Sequence, residues 1–237
     1  MTSTALVTGA ARGFGLALTA GLVARGATVI VDGRDAAALA SATAGLPGPG
    51  RVVTVAGDLT DAAHRGALYS AVRRAGGLDL LVHNAGALGP SPLPRLADLA
   101  PHAFDALWDT NVAAPLALTR LLLPFLRTSP DAAIVTLSSD AAVEAYEGWG
   151  GYGATKAALD QLAAVLGVEE PAVRVYAFDP GDMRTAMHQR AFPGEDISDR
   201  PEPATVVPAL LTLLDRRPPS GRQRAADLVE DVMEEVR

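Results

Sequence analysis

Ala5-Leu6-Val7-Thr8-Gly9-Ala10-Ala11-Arg12-Gly13-Phe14-Gly15 is a short apolar run that passes directly into a glycine-rich turn and then into a helical pattern. A near-continuous apolar run of this length reads as a strand covered on both faces. The glycines allow a tight turn and a close approach of backbone. The helix that follows offers unpaired N–H groups and the positive end of its dipole beyond the strand, a place suited to a phosphate. The spacing is G-x-x-x-G-x-G rather than the common G-x-G-x-x-G fingerprint. Glycine in such a turn is often only structural, so the rest of the chain must decide what the loop holds.

The same alternation continues outward from this segment. Apolar strand candidates fall at residues 5–8, 28–31, 52–56, 78–83, 132–137 and 173–178, with helical patterns near 14–25, 35–44, 61–75, 103–126 and 153–167. Gly26 and Gly76-Gly77 stand where helix stops are expected. Alternating strand and helix predicts an α/β protein, a doubly wound parallel sheet between two helical layers with right-handed crossovers. Ligands in such sheets bind beyond the carboxyl ends of the strands, at the switch point. After Pro180 the pattern weakens: residues 182–203 read as a loop or short helices that cover a substrate, 204–215 as a helix, and Pro218-Pro219-Ser220-Gly221 as a break before a polar tail. The expectation is one domain spanning residues 1–237.

Composition narrows the function. The chain has 237 residues, a formal net charge of −7 and no cysteine, with 49% apolar residues and 5% aromatic. An acidic chain without a basic run argues against nucleic acid and anionic membrane as partners, and neither disulfides nor thiolate chemistry can contribute. Met1-Thr2-Ser3 runs into a strand without a basic leader, and no apolar stretch is long enough to span a bilayer, so a cytoplasmic protein is expected. The excess of alanine, and of arginine over lysine, points to a GC-rich, bacterial source. Histidines 64, 83, 102 and 188 show no ligand spacing, so no metal is expected.

One residue stands out against the 20 basic side chains: Lys156 is the only lysine. It lies four residues after Tyr152, so i, i+4 spacing on a helix puts phenol and ammonium on one face. A compact ammonium does what a planar guanidinium cannot. A cation beside a phenol is expected to lower a pKa of about 10 and make the group a usable proton donor and acceptor.

The second strand candidate ends in Val31-Asp32-Gly33-Arg34-Asp35. An acidic residue there would hold the ribose 2′-OH of NAD, and an arginine the 2′-phosphate of NADP. Both occur. Arg34 with Arg12 could clamp a 2′-phosphate through charge-assisted bonds, whereas Asp32 opposes this unless it points away or pairs with a cation. NADP(H) is favoured over NAD(H).

Taken together, these residues resemble the short-chain dehydrogenase/reductase family in its single-domain form, over roughly residues 4–185. Thr8 to Gly15 matches its T-G-x-x-x-G-x-G loop, which implies cofactor contacts at Gly9, Ala11, Arg12, Gly13, Phe14 and Gly15. Asp58-Leu59 matches its adenine-contacting position, Asn84-Ala85-Gly86 its N-A-G, and Pro180-Gly181-Asp182-Met183-Arg184-Thr185 its P-G-x-x-x-T, with Met183 and Thr185 toward the nicotinamide. Asn111, Ser139, Tyr152 and Lys156 match its catalytic set, Ser139 standing 13 residues before Tyr152. Phe14 and His83 depart from its usual residues, and Ser220-Gly221-Arg222-Gln223-Arg224 is a weak echo of its last strand.

The resemblance implies reduction of a ketone to a secondary alcohol, or the reverse. Tyr152 would donate the proton and Ser139 would steady the oxygen. Lys156 would tune the tyrosine and hold the nicotinamide ribose, and Asn111 would position a water leading to solvent. Residues 140–149, with Val143, Tyr146 and Trp149, and the segment carrying Met187, His188 and Phe192 are expected as substrate walls. An NAD-dependent alcohol dehydrogenase and a non-catalytic dinucleotide sensor are the alternatives. The resemblance also implies a homodimer or homotetramer, paired through the helices near 103–126 and 153–167.

Overall fold

The computed structural model describes residues 3–228. Seven strands, β1 (Thr4–Val7), β2 (Thr28–Gly33), β3 (Arg51–Ala56), β4 (Leu80–His83), β5 (Ala133–Leu137), β6 (Arg174–Asp179) and β7 (Gly221–Arg224), form one sheet in the order β3-β2-β1-β4-β5-β6-β7. All of its pairings are parallel. The helices are α1 (Gly13–Ala24), α2 (Ala36–Thr43), α3 (Ala62–Ala75), α4 (Pro101–Trp108), α5 (Ala114–Leu126), α6 (Gly150–Glu169), α7 (Ala186–Ala191) and α8 (Pro203–Arg216).

Strand alternation assigns each side chain to a layer. Ala5 and Val7 of β1 face the core built with α1 and α8, while Leu6 faces the opposite core built with α3, α5 and α6. Burying an aliphatic side chain of this size contributes about 1.5–3 kcal/mol, so the apolar runs that nominated the strands also hold both helical layers. The strand order reverses between β1 and β4, which places the crevice above the ends of those two strands.

Two stretches differ from the sequence expectation. The helix expected at 103–126 begins two residues earlier, at Pro101, and is interrupted by a π turn over Asp109–Ala113. Pro115 has no N–H to give the Asn111 carbonyl four residues back, and its ring crowds that oxygen, so the helix widens there. At the other end, Gly221–Arg224 does form a last strand, in register from Tyr176↔Gly221 to Asp179↔Arg224. Its anchors are side chains rather than a glycine pair: Ser220 Oγ accepts the Val175 amide at 3.0 Å, and the Tyr176 hydroxyl donates to Pro218 O at 2.8 Å. The expected polar tail falls largely outside the described residues.

Candidate active site

The phosphate loop is shaped by its neighbour across the crevice. A Cβ on Gly9 (φ +68°) would come within 2.8 Å of Ala85 Cα, and one on Gly15 within 2.4 Å of Asn84 Nδ2. These two glycines therefore admit the Asn84-Ala85 segment, whose amide donates to Thr8 O at 2.8 Å and Gly9 O at 3.1 Å. Thr8 Oγ1 completes the joint, accepting the amides of Asn84 and Ala85 at 3.0 Å each. Gly13 (φ +59°) is different, because a Cβ there would meet only Thr185 Cγ2 at 3.7 Å. No side chain caps the N-terminus of α1, whereas α2 and α3 are capped by Asp35 and Asp61. A cradle of open backbone with uncapped N–H groups fits a pyrophosphate. Phe14 contributes only backbone, since its ring is buried and stacked on Phe178 at 6.1 Å.

At the end of β2 the mixed signal separates in space. Asp32 is buried beneath the loop, where Oδ1 accepts the Gly9 amide at 2.5 Å and Oδ2 meets His64 Nε2 at 3.2 Å. It points away from the surface and pairs with a histidine, not an arginine. Arg12 and Arg34 are exposed, and among the described residues neither guanidinium is held in a hydrogen bond or ion pair. Asp58 binds Thr60 through the backbone amide at 2.9 Å and the hydroxyl at 2.7 Å. Those two bonds, the amide first, keep its carboxyl below its ordinary pKa, with smaller help from Arg34 and His64. Asp61, not Asp58, caps α3. Leu59 is buried beside it.

The four residues of the expected catalytic set converge beyond β4 and β5. Ser139 lies two residues beyond β5, Tyr152 and Lys156 lie one turn apart on α6, and Asn111 sits in the π turn. Lys156 is buried, donates to Leu137 O at 2.6 Å, and stands 5.5 Å from the Tyr152 ring centroid. Gly86 lies between the Asn111 and Lys156 side chains. The Asn111 amide is already committed: Oδ1 accepts Ala87 N at 2.7 Å, and Nδ2 donates to Ala87 O and to Thr155 Oγ1, each at 2.9 Å. Thr155 Oγ1 in turn donates to Tyr152 O at 2.7 Å. The side chain of Asn111 thus ties the Gly86-Ala87 segment to α6.

The electrostatics reverse one expectation. Burial first, then Asp140 and Asp179, push the Tyr152 phenol well above its ordinary pKa; the Ser139 hydroxyl pulls the other way and Asp160 adds to the rise. The neighbouring ammonium does not prevail, because desolvation and three carboxylates act against it. Lys156 itself is pushed down to about 8 by burial, with Asp160 and Asp179 opposing the fall. At neutral pH this arrangement keeps the phenol protonated and the lysine mostly charged.

A cavity opens onto the Tyr152 hydroxyl side, lined by Ser139, Asp140 and the Pro180-Gly181 turn, with Leu88, Trp149 and Met187 as apolar walls. Trp149 meets Tyr152 edge-on at 5.7 Å, and Phe192 lies behind it at 6.0 Å. Of the expected wall residues, Trp149, Met187 and His188 line this cavity. Val143 and Tyr146 do not: they are 62% and 47% exposed, and Tyr146 lines an adjoining groove with Arg95 and Leu96. Of residues 182–203, Asp182, Met183, Thr185, Met187, His188 and Ala191 line the cavity. Thr185 caps α7 through the His188 amide at 3.1 Å, and Met183 packs on the core beneath. Arg190 donates to Gly89 O at 2.9 Å and Ser91 Oγ to Arg190 O at 2.6 Å, tying α7 to the segment after β4.

Sequence reading missed several groups that shape this site. His64 and Thr155 act through buried partners that no local spacing announces. Asp160 and Arg222 gave only a weak signal, as charged residues within otherwise apolar or broken segments. Pro115 did carry a signal, since proline four residues after an asparagine in a helical pattern marks a disturbed turn. Among the described residues, no group of three or more His, Cys, Asp and Glu side chains could hold a metal, and no helix is long and apolar enough to cross a membrane.

Comparison with known proteins agrees with this geometry. Residues 3–196 match the short chain dehydrogenase family. The chain is 38% identical over 199 residues to sepiapterin reductase of Meriones unguiculatus, covering 78% of this chain and 76% of that protein. It is 35% identical over 196 residues to the (S)-benzoin-forming benzil reductase of Saccharomyces cerevisiae, covering 78% and 71%. A crystal structure assigned to the short-chain dehydrogenases, from Escherichia coli CFT073 and complexed with NADPH, superposes with a TM-score of 0.83 at 30% identity, over 94% of this chain and 96% of that one. The matched stretch spans the phosphate loop and the segments carrying Asn111, Ser139, Tyr152 and Lys156, and the chain belongs to the short-chain dehydrogenase family as an NAD(P)-dependent oxidoreductase.

Proposed function

We propose that this protein is an NADPH-dependent carbonyl reductase acting on a ketone next to a flat ring. The observation that carries the reading is that Tyr152 and Ser139 line one cavity with the apolar walls of Leu88, Trp149 and Met187, where burial raises the phenol pKa. When bound, the nicotinamide supplies the hydride to the carbonyl carbon. Tyr152 gives its proton to the carbonyl oxygen, so the ketone gains one hydride and one proton and leaves as the alcohol. The Ser139 hydroxyl hydrogen-bonds that oxygen as charge develops on it. The Lys156 ammonium stabilises the phenolate left behind. Asn111, through Ala87 and Thr155, holds the Gly86 segment and α6 in register. Residues 182–203 close the site as the substrate-covering part of a single domain.

Three features support NADP(H) over NAD(H). Asp32 is turned beneath the loop, Arg12 and Arg34 are uncommitted, and the structural relative from Escherichia coli holds NADPH. The Trp149 ring on the cavity wall, backed by Phe192, supports a ring-bearing ketone, in line with the substrates named in sepiapterin reductase and benzil reductase. Exposed apolar residues on α4, α5 and α6, among them Trp108, Leu116 and Val168, support a homodimer or homotetramer. The test is NADPH oxidation against a panel of aryl ketones, 1,2-diketones and aliphatic ketones. The proposal expects turnover on the aryl compounds and a clear preference over NADH. Turnover confined to alcohol oxidation with NAD would replace it with the dehydrogenase alternative.

A further inference from the structure

Beneath the catalytic pair lies a charged cluster that its chemistry does not itself require. Arg222, on β7, donates through Nη2 to Asp179 Oδ2 at 2.7 Å and to Ser139 O at 3.1 Å, and through Nε to Asp160 Oδ2 at 3.3 Å. Ser138 Oγ donates to the same Asp160 oxygen at 2.6 Å, and Asp179 Oδ1 accepts the Gly181 amide at 3.0 Å. Asp160 Oδ1 is buried without a partner. One guanidinium therefore joins three segments distant in sequence: the Ser139 turn, the Asp179–Gly181 turn that lines the cavity, and the part of α6 one turn beyond Lys156. The side chains of Asp160 and Asp179 are 15% and 8% exposed, so little solvent screens them.

We propose that Arg222 is a positioning residue for the reaction, which fixes these three segments in one register and screens Asp160 and Asp179 from the Tyr152–Lys156 pair. This rests on the reading of Tyr152 and Lys156 as the catalytic pair. The groups facing that pair are Asp160 from α6, Asp179 from the end of β6, Asp140 from the serine turn, and Arg222 behind the two aspartates. Both Asp160 and Asp179 favour the charged lysine and disfavour the phenolate. An arginine suits the position because a planar fork bridges two carboxylates and a carbonyl at once, which an ammonium on a flexible stem does not.

The single lysine makes the test direct, because isotope-labelled lysine gives one side-chain NMR signal, that of Lys156. Removing the guanidinium in Arg222→Met leaves the two carboxylates unopposed, so the Lys156 titration midpoint should rise. In Asp160→Asn it should fall, and in the double variant it should return toward the wild-type value. With NADPH and a working ketone, Arg222→Met should lose about tenfold or more in kcat while NADPH affinity changes by less than about threefold. The double variant should lose no more rate than Arg222→Met alone, and Arg222→Lys should restore the titration but not the rate. An Arg222 that merely anchors β7 would give additive losses and an unmoved Lys156 midpoint, which would overturn the proposal. Should Arg222→Met fail to fold, an unchanged midpoint in Asp160→Asn overturns it equally. A wild-type protein without turnover on any carbonyl would sink the catalytic reading, and the positioning role with it, even with coupled titrations. Turnover combined with uncoupled titrations would sink the role of Arg222 alone.

Discussion

Asp32 holds the Gly9 amide from below at 2.5 Å, so the one acidic side chain at the end of β2 braces the phosphate loop instead of facing a ribose. His64 meets its second oxygen and fixes it there. Asp32→Ala should therefore weaken NADPH and NADH by similar factors, since it loosens a loop both would use. Arg34→Ala should weaken NADPH alone, by about tenfold, the scale of one charge-assisted contact. Fluorescence titration of both dinucleotides against both variants checks this. Selective loss of NADH binding in Asp32→Ala would return Asp32 to the ribose.

Ser139 offers a separate handle on the chemistry. Its hydroxyl favours the phenolate of Tyr152 and lines the cavity. Ser139→Ala should lower kcat by about a hundredfold, the usual cost of removing one donor to a developing oxyanion, with NADPH affinity preserved. Steady-state kinetics and a binding titration together read both quantities.

The pH profile follows from Lys156. Burial pushes its pKa down to about 8, so the ammonium is present below that pH and lost above it. Reduction should proceed on a plateau through neutral pH and decline above about pH 8, while Tyr152 stays protonated throughout. Lys156→Arg should lose at least about a hundredfold, because the site is buried and built around a slender ammonium bonded to Leu137 O. A rate that is flat to pH 10 would contradict the assignment.

Acid stability should depend on His83. This imidazole is fully buried, donates to or accepts from Thr119 Oγ1 at 2.7 Å, and is pushed down to about 3 by burial. The unfolded chain binds its proton near pH 6.5, so folding stability is fully present above that pH and falls as pH drops toward 3, by about 5 kcal/mol at most. Urea unfolding near pH 7 and near pH 4 should show a steep loss in the wild type and a shallower one in His83→Asn. Equal slopes would assign the acid sensitivity elsewhere.

How much of this was legible in the sequence depends on the range of the interactions. The strands were readable because near-continuous apolar runs such as Ala5-Leu6-Val7 can only be doubly covered. The candidate site was legible where motif and strand end coincide, as at Gly9 to Gly15, and where helical spacing sets Tyr152 beside Lys156. β7 was obscured because Arg222-Gln223-Arg224 is polar, its burial compensated by carboxylates far away in sequence. The protonation of Tyr152 was misjudged for the same reason: i, i+4 spacing reveals the helpful ammonium but not Asp140 and Asp179, which arrive from other elements. The orientation of Asp32 likewise needed His64, 32 residues on.

The central claim is that Tyr152 hands its proton to a ketone as NADPH is oxidised. The most direct measurement follows NADPH oxidation by the purified protein on its best aryl ketone, with Tyr152→Phe in parallel and NADPH binding measured for both. The account predicts comparable binding and a loss of turnover of about a thousandfold or more in the variant. Turnover retained in Tyr152→Phe would contradict it.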